Sequence, residues 1–153
     1  MTYAKGTSVT VQSSQQEIGR TFARYGVETY SFGAGPGFAL VEFMHVRLPI
    51  RLRLPLPDKP ATRKAPNPKT GRTFDAWAGW EQDVRESWRA LALFIKAALE
   101  STERGLVRPE QAFMAFLVTG DGSTMGERML PAYVAAVGAG QLLELDPPPP
   151  GGV

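Results

Sequence analysis

A chain of 153 residues that is 43% hydrophobic and 21% charged has the make-up of one globular domain able to bury about 70% of its unfolded surface, which argues against two full domains and against general disorder. It contains no cysteine, which excludes a disulfide framework, thiolate metal sites and thiol catalysis and makes the cytoplasm the expected compartment. The net charge of +2 hides an uneven distribution: residues 47–72 hold Arg47, Arg51, Arg53, Lys59, Arg63, Lys64, Lys69 and Arg72 against Asp58 alone, while acids outnumber bases after residue 72.

Residues 1–10 carry one lysine and no apolar core, so no signal peptide is expected. The longest apolar run covers residues 90–95, far short of the roughly 20 needed to cross a bilayer, and the expectation is a soluble protein with no membrane partner. Residues 7–11 alternate and are β-branched, which predicts a short strand. Ser14 and Glu17 match a capping box opening a helix, with Ile18, Phe22 and Tyr25 as its apolar stripe and Gly26 as its stop. Residues 27–32 and 38–44 are rich in aromatic and β-branched types and flank residues 33–37, which predicts a hairpin with a five-residue glycine-rich loop.

His45 and Val46 predict a tight turn into residues 47–54, where Leu48, Ile50, Leu52 and Leu54 share one face and Arg47, Pro49, Arg51 and Arg53 the other. Pro49 places this strand at an edge or a bulge. Residues 55–73 contain five prolines with basic residues between them, which predicts a long, exposed, basic loop without regular structure. Residues 74–104 read as one long helix closed by Gly105, with Trp77, Val84, Trp88, Leu91, Ile95 and Leu99 on one face, Glu81–Arg85 and Lys96–Glu100 as ion pairs on the other, and the stretch 90–95 covered on more than one side. A short helix over 110–117 follows Pro109. Thr124 and Glu127 form a second capping box for a helix to about residue 137, bent or restarted by Pro131.

The sum is an α+β fold: an antiparallel meander of three to four strands packed on one long helix, with additional short helices. It makes a single domain over residues 1–145, followed by a disordered Pro/Gly tail at 146–153.

No catalytic constellation is legible. The glycines at 33, 35 and 37 precede a strand rather than a helix, so they form a hairpin rather than a phosphate loop. Lys69-Thr70-Gly71 lacks the Ser-x-x-Lys partner that the triad needs in penicillin-recognising enzymes. His45 is the single histidine, which rules out histidine-pair metal motifs. Asp121 with Glu127, and Asp75 with Glu81 and Asp83, match no metal-loop spacing, so no cofactor and no metal are expected. The chemistry that stands out is cationic: Arg47, Arg51, Arg53, Arg63, Lys64, Lys69 and Arg72 would bind phosphates as forks and point charges. Tyr30, Phe32, Phe38 and Phe43 are candidate stacking platforms for unpaired bases, although most of them are expected in the core.

Thr7-Ser8-Val9, Arg24-Tyr25-Gly26, Leu54-Pro55-Leu56-Pro57-Asp58, Trp80-Glu81-Gln82, Trp88-Arg89-Ala90-Leu91-Ala92-Leu93 with Ile95-Lys96-Ala97, and Gly126-Glu127 span most of residues 7–131. Through these pieces the chain resembles a family of uncharacterised proteins encoded by phages and prophages, chiefly of actinobacteria and similar hosts; the block 88–96 is the most specific. Departures at 34–37 and 59–73 fall in loops. The resemblance implies a mobile-element origin, a place in the host cytoplasm, and work in replication, recombination or interference with host defence; it supplies no site residues.

The functional expectation is a nucleic-acid-binding accessory, concretely a single-stranded DNA-binding or annealing protein that self-associates. The alternative is a non-catalytic factor whose basic loop meets an acidic surface on a host or phage protein.

Overall fold

The computed structural model describes residues 7–140; the predicted tail at 146–153 and the domain end at 145 lie outside them. Thr10 rather than Ser14 opens the first helix. Its hydroxyl accepts from the Ser13 N–H at 3.1 Å, and α1 runs over Val11–Arg24. Among the described residues the β-branched run at 7–11 has no partner strand: residues 7–10 take no regular structure, and Val11 begins the helix whose period buries Ser14, Ile18, Thr21 and Phe22. Gly26, in the left-handed region at φ 73°, closes the helix as Val27 N–H donates back to Phe22 O at 2.9 Å.

Three strands follow as a meander: β1 (Tyr30–Gly35), β2 (Phe38–His45) and β3 (Leu48–Pro55), antiparallel in the order β1-β2-β3. The expected five-residue loop at 33–37 is in fact a two-residue turn, Pro36-Gly37, because Gly35 pairs with Phe38 and Gly33 with Leu40 inside the sheet. Gly35 leaves room there for the ring of Phe38. The turn between β2 and β3 is Val46-Arg47, and both residues take positive φ, 43° and 67°.

Period-2 alternation gives the sheet two faces. Ala39, Val41, Phe43, Ile50 and Leu52 are buried against Ile18 and Phe22 of α1 and against the next helix. Ser31, Gly33 and Gly35, then Leu40, Glu42 and Met44, then Arg51 and Arg53 line the opposite face by register. Pro49 makes β3 an edge strand as predicted, and its carbonyl accepts from Val118 N–H at 2.9 Å.

The segment read as a structureless loop is shaped. A short antiparallel hairpin, β4 (Lys64–Pro66) with β5 (Thr73–Asp75), stands within it. The Trp77 Nε1–H donates to Pro60 O at 3.0 Å and the Trp80 Nε1–H to Pro57 O at 2.9 Å. Strands of three residues carry no alternation long enough to read, and Pro66 sits where only an edge tolerates it.

Asp75 then caps α2 (Ala76–Glu103), accepting from the N–H groups of Trp77 and Ala78. Trp88, Leu91, Ala92, Ile95 and Leu99 are buried along it, while Ala90 and Phe94 stay exposed, so the stretch 90–95 is covered on one side only. The expected ion pairs on its wet face are replaced. Arg85 donates to Gln82 Oε1 at 2.6 Å, and Glu100 accepts from Arg104 at 2.6 Å and from the Tyr25 hydroxyl. Tyr25–Glu100 and Glu17–Arg89 tie α1 to α2.

The helix expected over 110–117 is a single turn, α3 (Pro109–Ala112), followed by a 3₁₀ turn, Met114–Phe116. Phe113 between them is fully buried and meets Phe43 edge-on at 5.6 Å. The capping box of Thr124 and Glu127 opens α4 (Met125–Gly138). This helix runs through Pro131 instead of restarting, on a turn that is exposed, where water can serve the carbonyl that lacks its N–H partner.

Candidate nucleic-acid interface

The β4–β5 hairpin presents three of the seven predicted cations, Lys64, Lys69 and Arg72, with a fourth, Arg63, at its base. Its turn is held by Asn67, whose side-chain oxygen accepts from Lys69 N–H at 2.8 Å and Thr70 N–H at 3.2 Å. The Asn67 carbonyl accepts from Gly71 N–H at 2.8 Å; Gly71, at φ 67°, takes the backbone angle that a side chain would resist. Lys64, Lys69 and Arg72 are exposed on this frame, with no side-chain partner among the described residues.

Arg63 at the base is engaged: its Nε lies 3.0 Å from Asp75 Oδ2. The Ala78 N–H first, and the Arg63 guanidinium after it, hold the Asp75 carboxyl below its ordinary range. Phe74, opposite Ala65 on the hairpin, is 47% exposed. The sequence reading placed it at the start of the long helix. Its signal was Asp75, a cap residue that puts the preceding aromatic outside the helix.

Of the three arginines of β3 and its turn, Arg51 and Arg53 share the outer face of the sheet, and Arg47 lies apart from them. Arg47 lies in the left-handed turn, at the far end of the eight-residue strand from Pro55, about 26 Å along β3 from where the chain leaves for the hairpin. Arg51 is committed: its Nε lies 2.6 Å from Glu42 Oε1 and its Nη1 donates to the Gly122 carbonyl at 2.6 Å. Arg53 is exposed and stacks over the Phe38 ring at 4.1 Å. Leu56 N–H donates to Gly37 O at 2.9 Å, so Arg53 and Phe38 occupy the end of the sheet from which the hairpin segment departs. Lys59 is not part of a loose arm; its Nζ lies 4.1 Å from the Trp77 ring centre and 5.2 Å from that of Trp80.

Of the four aromatics named for stacking, only Phe43 lies in the core, while Phe32 and Phe38 are half-buried and Tyr30 is 43% exposed. Phe43 is 4% exposed and Phe32 is half-buried against Trp88. Tyr30 leans on Phe22 with ring centres 4.9 Å apart. Phe38 is the one of these four that carries a cation over its ring, Arg53, and Phe74 is exposed on the hairpin that bears Lys64 and Arg72.

Among the described residues no three His, Asp or Glu side chains gather where they could hold a metal ion, and no helix is long and apolar enough to cross a membrane. His45 ends β2 opposite Leu48 rather than forming the turn, and burial pushes its imidazole below the ordinary value. Comparison with family models, curated proteins and solved structures returns no match.

Proposed function

We propose that the protein binds single-stranded nucleic acid through the phosphate backbone, as an accessory factor of phage or prophage replication or recombination, with the β4–β5 hairpin as its contact element. The observation that carries this reading is the hairpin itself: a hydrogen-bonded projection with Lys64, Lys69 and Arg72 exposed and, among the described residues, unpaired. A frame already ordered loses little entropy on binding, and its cations release counterions when they meet phosphates. Phe74 on the same hairpin and the Arg53–Phe38 stack nearby give flat surfaces for unpaired bases. The phage setting rests on the sequence resemblance alone.

The test is fluorescence anisotropy of a labelled single-stranded oligonucleotide at low and moderate salt. Wild type is expected to bind with affinity that falls with salt, and a Lys64, Lys69, Arg72 to Ala variant to lose about two units of the log–log slope, at roughly 0.7 per phosphate. Absence of binding at low salt overturns the reading and turns the hairpin toward an acidic protein surface, the next partner to test.

A further inference from the structure

The helix α4 is built for a neighbour that the described residues do not supply. Its first turn is docked: a side-chain carbon at Gly126 would lie 2.8 Å from the Ala115 carbonyl oxygen, so only glycine allows the helix this close to the 3₁₀ turn. Beyond that contact residues 127–135 are all exposed among the described residues. Met129 is 58% exposed, Leu130 53%, Tyr133 63% and Val134 63%, and Met114 beside them is 55% exposed. From Met129 to Gly140 the sequence contains no charged residue, and a helix apolar all round is a buried helix in its working state.

These side chains, with the exposed edge of Phe94, make a surface on the order of 600 Å², at the upper limit of what a monomer leaves to water and near the roughly 800 Å² that each partner contributes to a stable interface. A groove of ≈ 410 Å³ runs along it between α4 and the 3₁₀ turn, floored by Met114, Phe116, Met125 and Met129. The bare stretch offers an ionic partner nothing to pair with, whereas a second copy meets it without bringing like charges together. Its protruding side chains and its groove lie on the same face, which is the condition for an isologous contact, in which each copy supplies both knob and hole.

We propose that two copies of this chain associate about a two-fold axis through α4, the helices lying antiparallel and each filling the groove of the other with Leu130 and Tyr133. The inference does not depend on nucleic-acid binding.

Sedimentation velocity of the full chain over about 1–100 μM, the range suited to an interface of this size, is expected to show a monomer–dimer equilibrium. A Leu130→Glu, Tyr133→Glu variant changes only exposed positions; it is expected to keep the wild-type circular dichroism and to sediment as monomer. Because the chain has no cysteine, Tyr133→Cys offers a second readout: oxidation is expected to give a covalent dimer, while Lys69→Cys on the hairpin gives none. A wild type that stays monomeric throughout, as it would if the residues after Gly140 covered the groove, overturns the proposal, as does a dimer that survives the double substitution.

Discussion

The guanidinium of Arg53 lies 4.1 Å from the centre of the Phe38 ring, and that ring reaches across Gly35 on the neighbouring strand, where an added side-chain carbon would fall 2.6 Å from its Cζ. Arginine, ring and glycine thus depend on one another. Gly35→Ala must push the ring aside, and the ring is a side chain that can swing, so the expected cost is about 1–2 kcal/mol, combining overpacking with the lost cation–π contact. Urea denaturation checks it; an unchanged midpoint would show that the ring does not rest on Gly35.

Trp77 and Trp80 hold the segment between sheet and hairpin by donating to the carbonyls of Pro60 and Pro57. Replacing both with Phe removes the donors, at a net cost of about 1 kcal/mol each, and trims the rings beside Lys59, which adds lost packing. That cost falls on local opening, so trypsin should cut at Arg63, Lys64, Lys69 or Arg72 at least roughly thirtyfold faster in the double variant. Equal cleavage rates would mean that the tryptophan hydrogen bonds do not order the segment.

How much of this was legible follows the length of each signal. Long periods read well: the apolar face of α2 from Trp88 to Leu99, the alternation of β3, and the capping box at Thr124 all stand in the structure. Short or competing signals failed. Ser14-x-x-Glu17 matches a capping box, yet Thr10 takes that role because the helical period needs Ser14 inside. The cations at 47, 51 and 53 alternate in sequence, but alternation says nothing of partners: Glu42 lies opposite Arg51 across the sheet, and the Gly122 carbonyl arrives from residues far along the chain. The hairpin depends on two three-residue strands and on indole donors seventeen and twenty-three positions from their acceptors. Such contacts leave no periodic trace.

Ser14 is fully buried and its hydroxyl has no hydrogen-bond partner among the described residues. Burial of an unpaired hydroxyl is unfavourable, and alanine is the better helix former. Ser14→Ala is therefore expected to stabilise the protein by about 1 kcal/mol, seen as a higher melting temperature. Destabilisation would show that the hydroxyl has a partner in solution.

Asp121 accepts from the hydroxyls of Ser123 and Thr119 and from the Ser123 N–H, and these bonds, the Ser123 hydroxyl foremost, hold its carboxyl well below the ordinary 3.8. A depressed folded-state value means that the carboxylate's contribution is complete above the unfolded value and is lost as pH falls through the folded one. Asp121→Asn should be less stable than wild type at pH 7, with the gap narrowing below about pH 4, near the unfolded carboxylate value. The group is 59% exposed, so the gap is small. Thermal melts across this range decide; a gap that does not narrow on acidification rules out the carboxylate as its source.

The turn between β2 and β3 places Val46 at φ 43° and Arg47 at φ 67°, where side chains, a β-branched one above all, are strained by about 1–2 kcal/mol each. Two residues with positive φ in a tight hairpin are the setting for Asn-Gly. Val46 and Arg47 are both exposed, so Val46→Asn with Arg47→Gly should relieve the turn without disturbing packing and raise stability by about 1–2 kcal/mol. Arg47 lies apart from the hairpin, at the other end of β3. The same variant should therefore bind a single-stranded oligonucleotide with a salt dependence within about one phosphate of wild type. Gain of stability with unchanged binding would free Arg47 from any part in the interface; a stable variant that binds far more weakly would move that interface to the β2–β3 end of the sheet.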